Sequence, residues 1–175
     1  LAEAVGEAVR DLHSWSSAGA DMILLADDVA YAGGPYMSPA QFEKHLLPRY
    51  SELAAAGAEM GVLTGFHSDG RMDLLLPLFH QAGFRFYSLE PEGTDPVEAW
   101  KLLGAPIPLF SGLPAAWFMP GGFSPEVEGC ILRKWLCAGP LAVTSACGLF
   151  HADAGAALRM IYQWLDGKEF EASRN

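Results

Sequence analysis

Apolar residues recur at helical spacing over residues 1–18, where Leu1, Val5, Ala8, Val9 and Leu12 share one face, and the pattern predicts an amphipathic helix ended by Gly19 and Ala20. The period then changes. Met22 to Ala26 reads MILLA, a continuous apolar run of the kind that makes a buried parallel strand. A loop with Gly33, Gly34 and Pro35 follows, and Ser38-Pro39 opens a second helix. Ser38 suits the cap, Pro39 the first turn, and Gln41 completes a capping box. Its apolar stripe is Phe42, Leu46, Leu47, Tyr50 and Leu53, with Pro48 inside the stripe and expected to kink it.

The alternation continues to the end of the chain. Val62–Phe66, Phe84–Leu89, Ile107–Phe110 and Leu141–Ser145 read as strands. Helices are expected around Met72, Leu75, Leu76 and Phe79 (with Pro77 internal), over Asp95–Leu103, over Ser124–Ala138 and over Ala152–Leu165. Five strand–helix units in this order predict an α/β fold with a parallel sheet and right-handed crossovers. They fit the C-terminal part of a (β/α)8 barrel, which usually takes about 250 residues. A freestanding doubly wound sheet is the alternative. No Gly-x-Gly-x-x-Gly turn follows the first strand, which leaves a dinucleotide fold little support. Residues 1–175 read as a single, partial barrel domain, whose outer sheet edges would be exposed without further units; residues 167–175 form a polar tail.

Composition narrows the function. The chain is 51% hydrophobic and 18% charged, as a globular domain is. A net charge of −10 argues against nucleic acid, whose phosphates need clustered Lys and Arg. No apolar run nears the roughly 18 residues of a membrane span. Residues 1–20 lack a basic start and carry Glu3, Glu7 and Asp11, so no signal peptide is expected. Leu at position 1 suggests a fragment or a processed product. Three cysteines, an odd number without framework spacing, suggest a reducing compartment, and a cytoplasmic enzyme is the expectation.

The reactive side chains fall just past strand ends. Asp27 and Asp28 follow MILLA; His67, Ser68 and Asp69 follow VLTGF; Glu90, Ser111 and Cys147 follow the later runs. In a barrel of parallel strands all of them rim one mouth, where active sites form. Plainer roles compete. Asp27 and Asp28 suit a turn, and Asp69 suits a helix cap. Cys130 and Cys137 read as core; His13, His45 and His80 as surface or packing groups; Trp15, Trp100, Trp135 and Trp164 as packing. Trp117 and Phe118, in the loop after the fourth strand, are expected to wall a pocket. His67, Asp69 and Cys147 together offer donors that zinc accepts, although the 80 residues between His67 and Cys147 prove nothing by spacing.

GADMILLADD, SPAQFEKHLLPRY, FHSDG with LLPLFHQAG, LEPEGTDP and TSACGL together resemble, in order and spacing, the uroporphyrinogen decarboxylase superfamily over about residues 18–165. The resemblance implies a (β/α)8 barrel with its site in the C-terminal mouth, and frequent dimers when full length. Two branches compete. Metal-free decarboxylases place a histidine in an Asn-Leu-Gly-His-Gly turn at the last strand, where this chain has Ser-Ala-Cys147-Gly. Corrinoid-dependent methyltransferases place zinc on His-x-Cys and a distant Cys-Gly. This chain matches at His67 and Cys147 but has Asp69 at the middle position, and lacks the Glu-Asn pair of the following helix.

The resemblance favours methyl transfer from a corrinoid, as methylcobalamin or on a corrinoid protein, to a thiol, with His67, Asp69 and Cys147 on zinc. Asp69 and Asp28 are then the candidate catalytic groups, and Asp27, Glu90, Ser111 and Trp117 the candidate substrate contacts. The alternatives are decarboxylation of a porphyrinogen, with Asp28 or Asp69 facing the pyrrole nitrogens, and a non-catalytic corrinoid- or tetrapyrrole-binding module.

Overall fold

The computed structural model describes residues 2–145 and 152–167. Along the chain run α1 (Ala2–Ser17), β1 (Met22–Ala26), a small antiparallel hairpin of β2 (Ala30–Tyr31) and β3 (Gly34–Pro35), α2 (Pro39–His45), α3 (Leu47–Glu59), β4 (Leu63–Ser68), α4 (Leu76–Ala82), β5 (Phe86–Leu89), α5 (Pro96–Leu103), β6 (Leu109–Leu113), a 3-10 turn (Ala115–Phe118), α6 (Glu128–Ala138), β7 (Leu141–Ser145) and α7 (Ala154–Asp166). The main sheet has the order β1-β4-β5-β6-β7, all parallel. Strand order equals chain order, without the reversal of a doubly wound sheet. Among the described residues no helix is long and apolar enough to cross a membrane.

Local chemistry sets the helix ends. Ser38 Oγ accepts the Gln41 N–H at 3.3 Å and starts α2. Pro48 has no N–H to give the preceding turn, and the helix breaks at Leu46, which ends α2 and precedes α3. Pro77 behaves otherwise than its place in the stripe suggested: α4 begins only at Leu76, so Pro77 sits in the first turn and kinks nothing. Asp95 Oδ1 accepts from Val97 and Glu98 N–H at 2.9 and 3.2 Å and opens α5. Before α6, Ser124 donates its N–H and hydroxyl to Glu128 at 2.8 and 2.9 Å and accepts the Val127 N–H in return.

The sheet's two faces differ. Phe66, Tyr87 and Leu109 point to the helices and are at most 1% exposed. They join Phe42, Tyr50, Phe79 and Phe84 in one aromatic core, where Phe66 stacks on Phe79 at 3.8 Å between centroids. The alternate residues face the other way, and Met22, Leu24 and Leu63 are 43%, 45% and 51% exposed. A second core joins Leu113 to Trp117, Phe118, Phe123, Leu132, Trp135 and Trp164.

Three expectations about packing are corrected. Cys130 and Cys137 are exposed, because α6 buries the stripe of Leu132 and Trp135 instead. Trp15 is 61% exposed. Trp117 and Phe118 are core residues rather than pocket walls; Trp117 stacks on Trp135 at 5.8 Å.

α3 lies so close to β4 that a Cβ on Gly57 would run into Thr64 Cγ2. Gly57→Ala is expected to lower stability by about 1 kcal/mol or more, overpacking outweighing the better helix propensity, as read from urea unfolding. The Ser124 N–H, then its hydroxyl, hold the Glu128 pKa below its ordinary 4.5. A depressed carboxylate pKa contributes stability above the unfolded value that is lost as pH falls through the folded one. Glu128→Gln should therefore destabilise at pH 7, with the gap to wild type closing below about pH 4.5 in pH-dependent melts.

Candidate functional site

The parallel register brings most of the predicted residues to one end of the sheet. Ala26 pairs with His67, and His67 with Ser88, so His67 and Ser88 stand side by side on the sheet face turned away from the helices. His67 and Ser68 belong to β4 itself rather than to the turn after it, because β5 pairs with them. His67 Nε2 lies 3.3 Å from Asp69 Oδ1, with the two side chains 29% and 41% exposed. On the ring's other side, Nδ1 lies 3.2 Å from the Ser88 carbonyl oxygen and 3.0 Å from its Oγ.

The loops around this pair are tied by their own polar groups. Asp28 Oδ1 accepts the Asp69 N–H at 3.1 Å, and Glu90 Oε2 accepts the Gly70 N–H at 3.1 Å. Asp69 therefore does not cap a helix, and α4 begins seven residues later at Leu76. Fully buried Ser68 accepts the Val29 N–H at 3.1 Å and donates to the Asp69 carbonyl at 2.8 Å. Gly70, at φ +81°, packs on the backbone of Tyr31, so a side chain there would clash as well as strain. The result is a cavity of about 290 Å³ bordered by Tyr31, Tyr36 and the carboxylates of Asp28, Asp69, Glu90 and Glu92.

Asp27 stands apart from this cavity. Tyr50 donates its hydroxyl to Asp27 Oδ2 at 2.6 Å. Burial first, then this bond and the carboxylate charge, push the Tyr50 pKa well above the ordinary phenol value, so the hydroxyl keeps its proton and remains a donor. Both residues line a larger cavity of about 550 Å³ that wraps the outer edge of β1, with Ile23, Leu24 and Leu25 on its wall.

The remaining expected contacts go elsewhere. Ser111 lies inside β6, is 1% exposed and donates to the Gly112 carbonyl at 3.2 Å, and Trp117 is in the second core. Neither borders the two cavities. Cys147 lies outside the described residues. Among the described residues no three His, Cys, Asp or Glu side chains form a metal-binding group. The His67–Asp69 pair does fit two corners of a zinc site: ligands on adjacent corners of a tetrahedron with bonds of about 2.0–2.1 Å lie roughly 3.3–3.4 Å apart, and here the distance is 3.3 Å.

Two site residues were missed in the sequence: Tyr50, counted in an apolar stripe, and Ser88, not singled out within its strand. The signal for Tyr50 was present, since Pro48 two residues before it marks the break at which α3 begins. Ser88 carries no local signal, as its role exists only across the strand pair.

No family model matches the chain, and no curated protein matches it. Among solved structures, the chain is similar to a methyltransferase from Methanosarcina mazei, with a TM-score of 0.64 at 20% identity over 91% of this chain and 48% of that one. It also overlaps a protein from Burkholderia cenocepacia J2315 provisionally named a lyase/mutase, with a TM-score of 0.48 at 14% identity over 93% of this chain and 55% of that one. The chain thus spans about half the length of these structures, and the first of them shows the α/β fold.

Tyr50→Phe removes a buried donor to a carboxylate and should destabilise by about 1–2 kcal/mol in urea unfolding, the exposed Asp27 recovering part of the loss from water. An unchanged midpoint would show that the bond contributes nothing.

Proposed function

We propose that this chain is part of a (β/α)8-barrel methyltransferase that uses zinc to move a methyl group from a corrinoid to a thiol. The observation that carries the reading is the His67–Asp69 pair, two zinc-type donors at tetrahedral spacing on the C-terminal rim of a parallel sheet. The likeness of fold to the Methanosarcina methyltransferase supports it. Two features support the barrel. Met22, Leu24 and Leu63 are apolar yet exposed on the face a barrel would enclose, and the 550 Å³ cavity wraps the strand edge where another strand would pair.

His67 Nε2 and Asp69 Oδ1 would hold the metal together with Cys147, leaving one position open for substrate. When bound, zinc lowers the pKa of a coordinated thiol and supplies a thiolate at neutral pH. The chain's own residues position this centre. Asp28 holds the Asp69 backbone, Glu90 holds Gly70 beside it, and Ser68 pins both the β1 and β4 loops. A carboxylate in place of a second thiolate donates less electron density to zinc, so a thiolate bound there would be less nucleophilic. Asp27, held by Tyr50, would contact the polar edge of a docking corrinoid.

A metal-free decarboxylase is the second reading, favoured by the acidic border of the 290 Å³ cavity. Carboxylates at Asp28 and Asp69 would stabilise positive charge developing on pyrrole nitrogens.

Zinc content of the full-length protein, with Cys147→Ala and His67→Ala beside it, decides between them. About one zinc per chain, lost in both variants, is the expected result. Wild-type protein without zinc that still turns over a porphyrinogen would replace this reading with the second.

A further inference from the structure

The contact between His67 and Ser88 gives the ring's Nδ1 two oxygen partners. Nδ1 faces the Ser88 carbonyl oxygen at 3.2 Å, and a carbonyl only accepts. Ser88 Oγ, 3.0 Å from the same nitrogen, can accept from it or donate to it. The ring's other nitrogen, Nε2, lies 3.3 Å from Asp69 Oδ1 and carries a hydrogen when it donates to that carboxylate. That is the nitrogen that has to be bare if the ring is to join Asp69 on a metal, since a ligating imidazole donates its other N–H to a nearby acceptor. The arrangement is rigid, because Ser88 is the direct neighbour of His67 across the β4–β5 pair.

We infer that Ser88 is a positioning residue for a metal at His67: with Nε2 on a metal, Nδ1 carries the hydrogen, and the Ser88 carbonyl and hydroxyl accept it and hold the ring toward the space beside Asp69. The inference rests on the metal reading above and adds to it a residue that does not itself touch the metal. Serine suits the position physically. On the face turned away from the helices it is flanked by Phe86 in its own strand and by Phe110 across the pair, and it brings a hydroxyl to His67 beside these rings.

The test measures zinc affinity, by chelator competition, in full-length wild-type protein and in Ser88→Ala and Ser88→Thr. Wild type should bind tightly. Ser88→Ala, which keeps the carbonyl but loses the closer oxygen, should bind about tenfold more weakly, the low end of the range for lost outer-shell partners. Ser88→Thr, which restores the hydroxyl, should return most of the affinity. Melting of the metal-free proteins is the control: similar midpoints for wild type and Ser88→Ala separate positioning from general loss of structure. If wild type binds zinc and Ser88→Ala binds it equally well, the positioning role is overturned and the metal reading stands. If wild type binds no zinc, both fall.

Discussion

Parallel pairing is the constraint from which the site follows. Five strands running the same way, in chain order, send every strand-to-helix turn to the same end of the sheet. Residues far apart in sequence become neighbours without any special device: His67 and Ser88 meet because they share a register position, and Asp28 reaches the Asp69 backbone because β1 and β4 end together. The same parallel strands divide side chains strictly by parity. One set, with Phe66, Tyr87 and Leu109, goes under the helices, and the other carries His67 and Ser88 on the opposite face.

The helix layer adjusts that rim through one break. Pro48 ends α2 and restarts the helix as α3, and the restarted helix brings Tyr50 against Phe66 and Phe79 with its hydroxyl on Asp27. One residue thus serves the core with its ring and the rim with its oxygen. Glycine closes the remaining space: Gly70 lets the loop after β4 lie against the backbone of Tyr31, and Gly93 lets the loop after β5 lie against Gly70. Three loops from three strands are stacked backbone to backbone, which is how four carboxylates come to border one small cavity.

Much of this was legible in the residues. Apolar runs and their spacing located all five strands of the main sheet, and Ser38 and Asp95 marked helix starts because capping is local chemistry. Pro48 marked a real break, whereas Pro77 did not, since a proline's effect depends on whether the helix has already begun, and α4 begins only at Leu76. The hairpin of β2 and β3 escaped notice because two-residue strands carry no period. Cys130 and Cys137 were misjudged as core because helical spacing tells which residues share a face, not which face is buried.

By itself, the sequence determined the α/β alternation, the caps, and the fact that acidic and histidine side chains follow the strands, because each depends on residues within a turn or two of one another. Only the tertiary structure decided which of those side chains converge. It joined His67 to Asp69 and Ser88, gave Asp27 to Tyr50, and withdrew Ser111 and Trp117 into the interior. Convergence depends on strand register and on where each strand stops, and these are set by pairing between segments twenty or more residues apart, which no local pattern encodes.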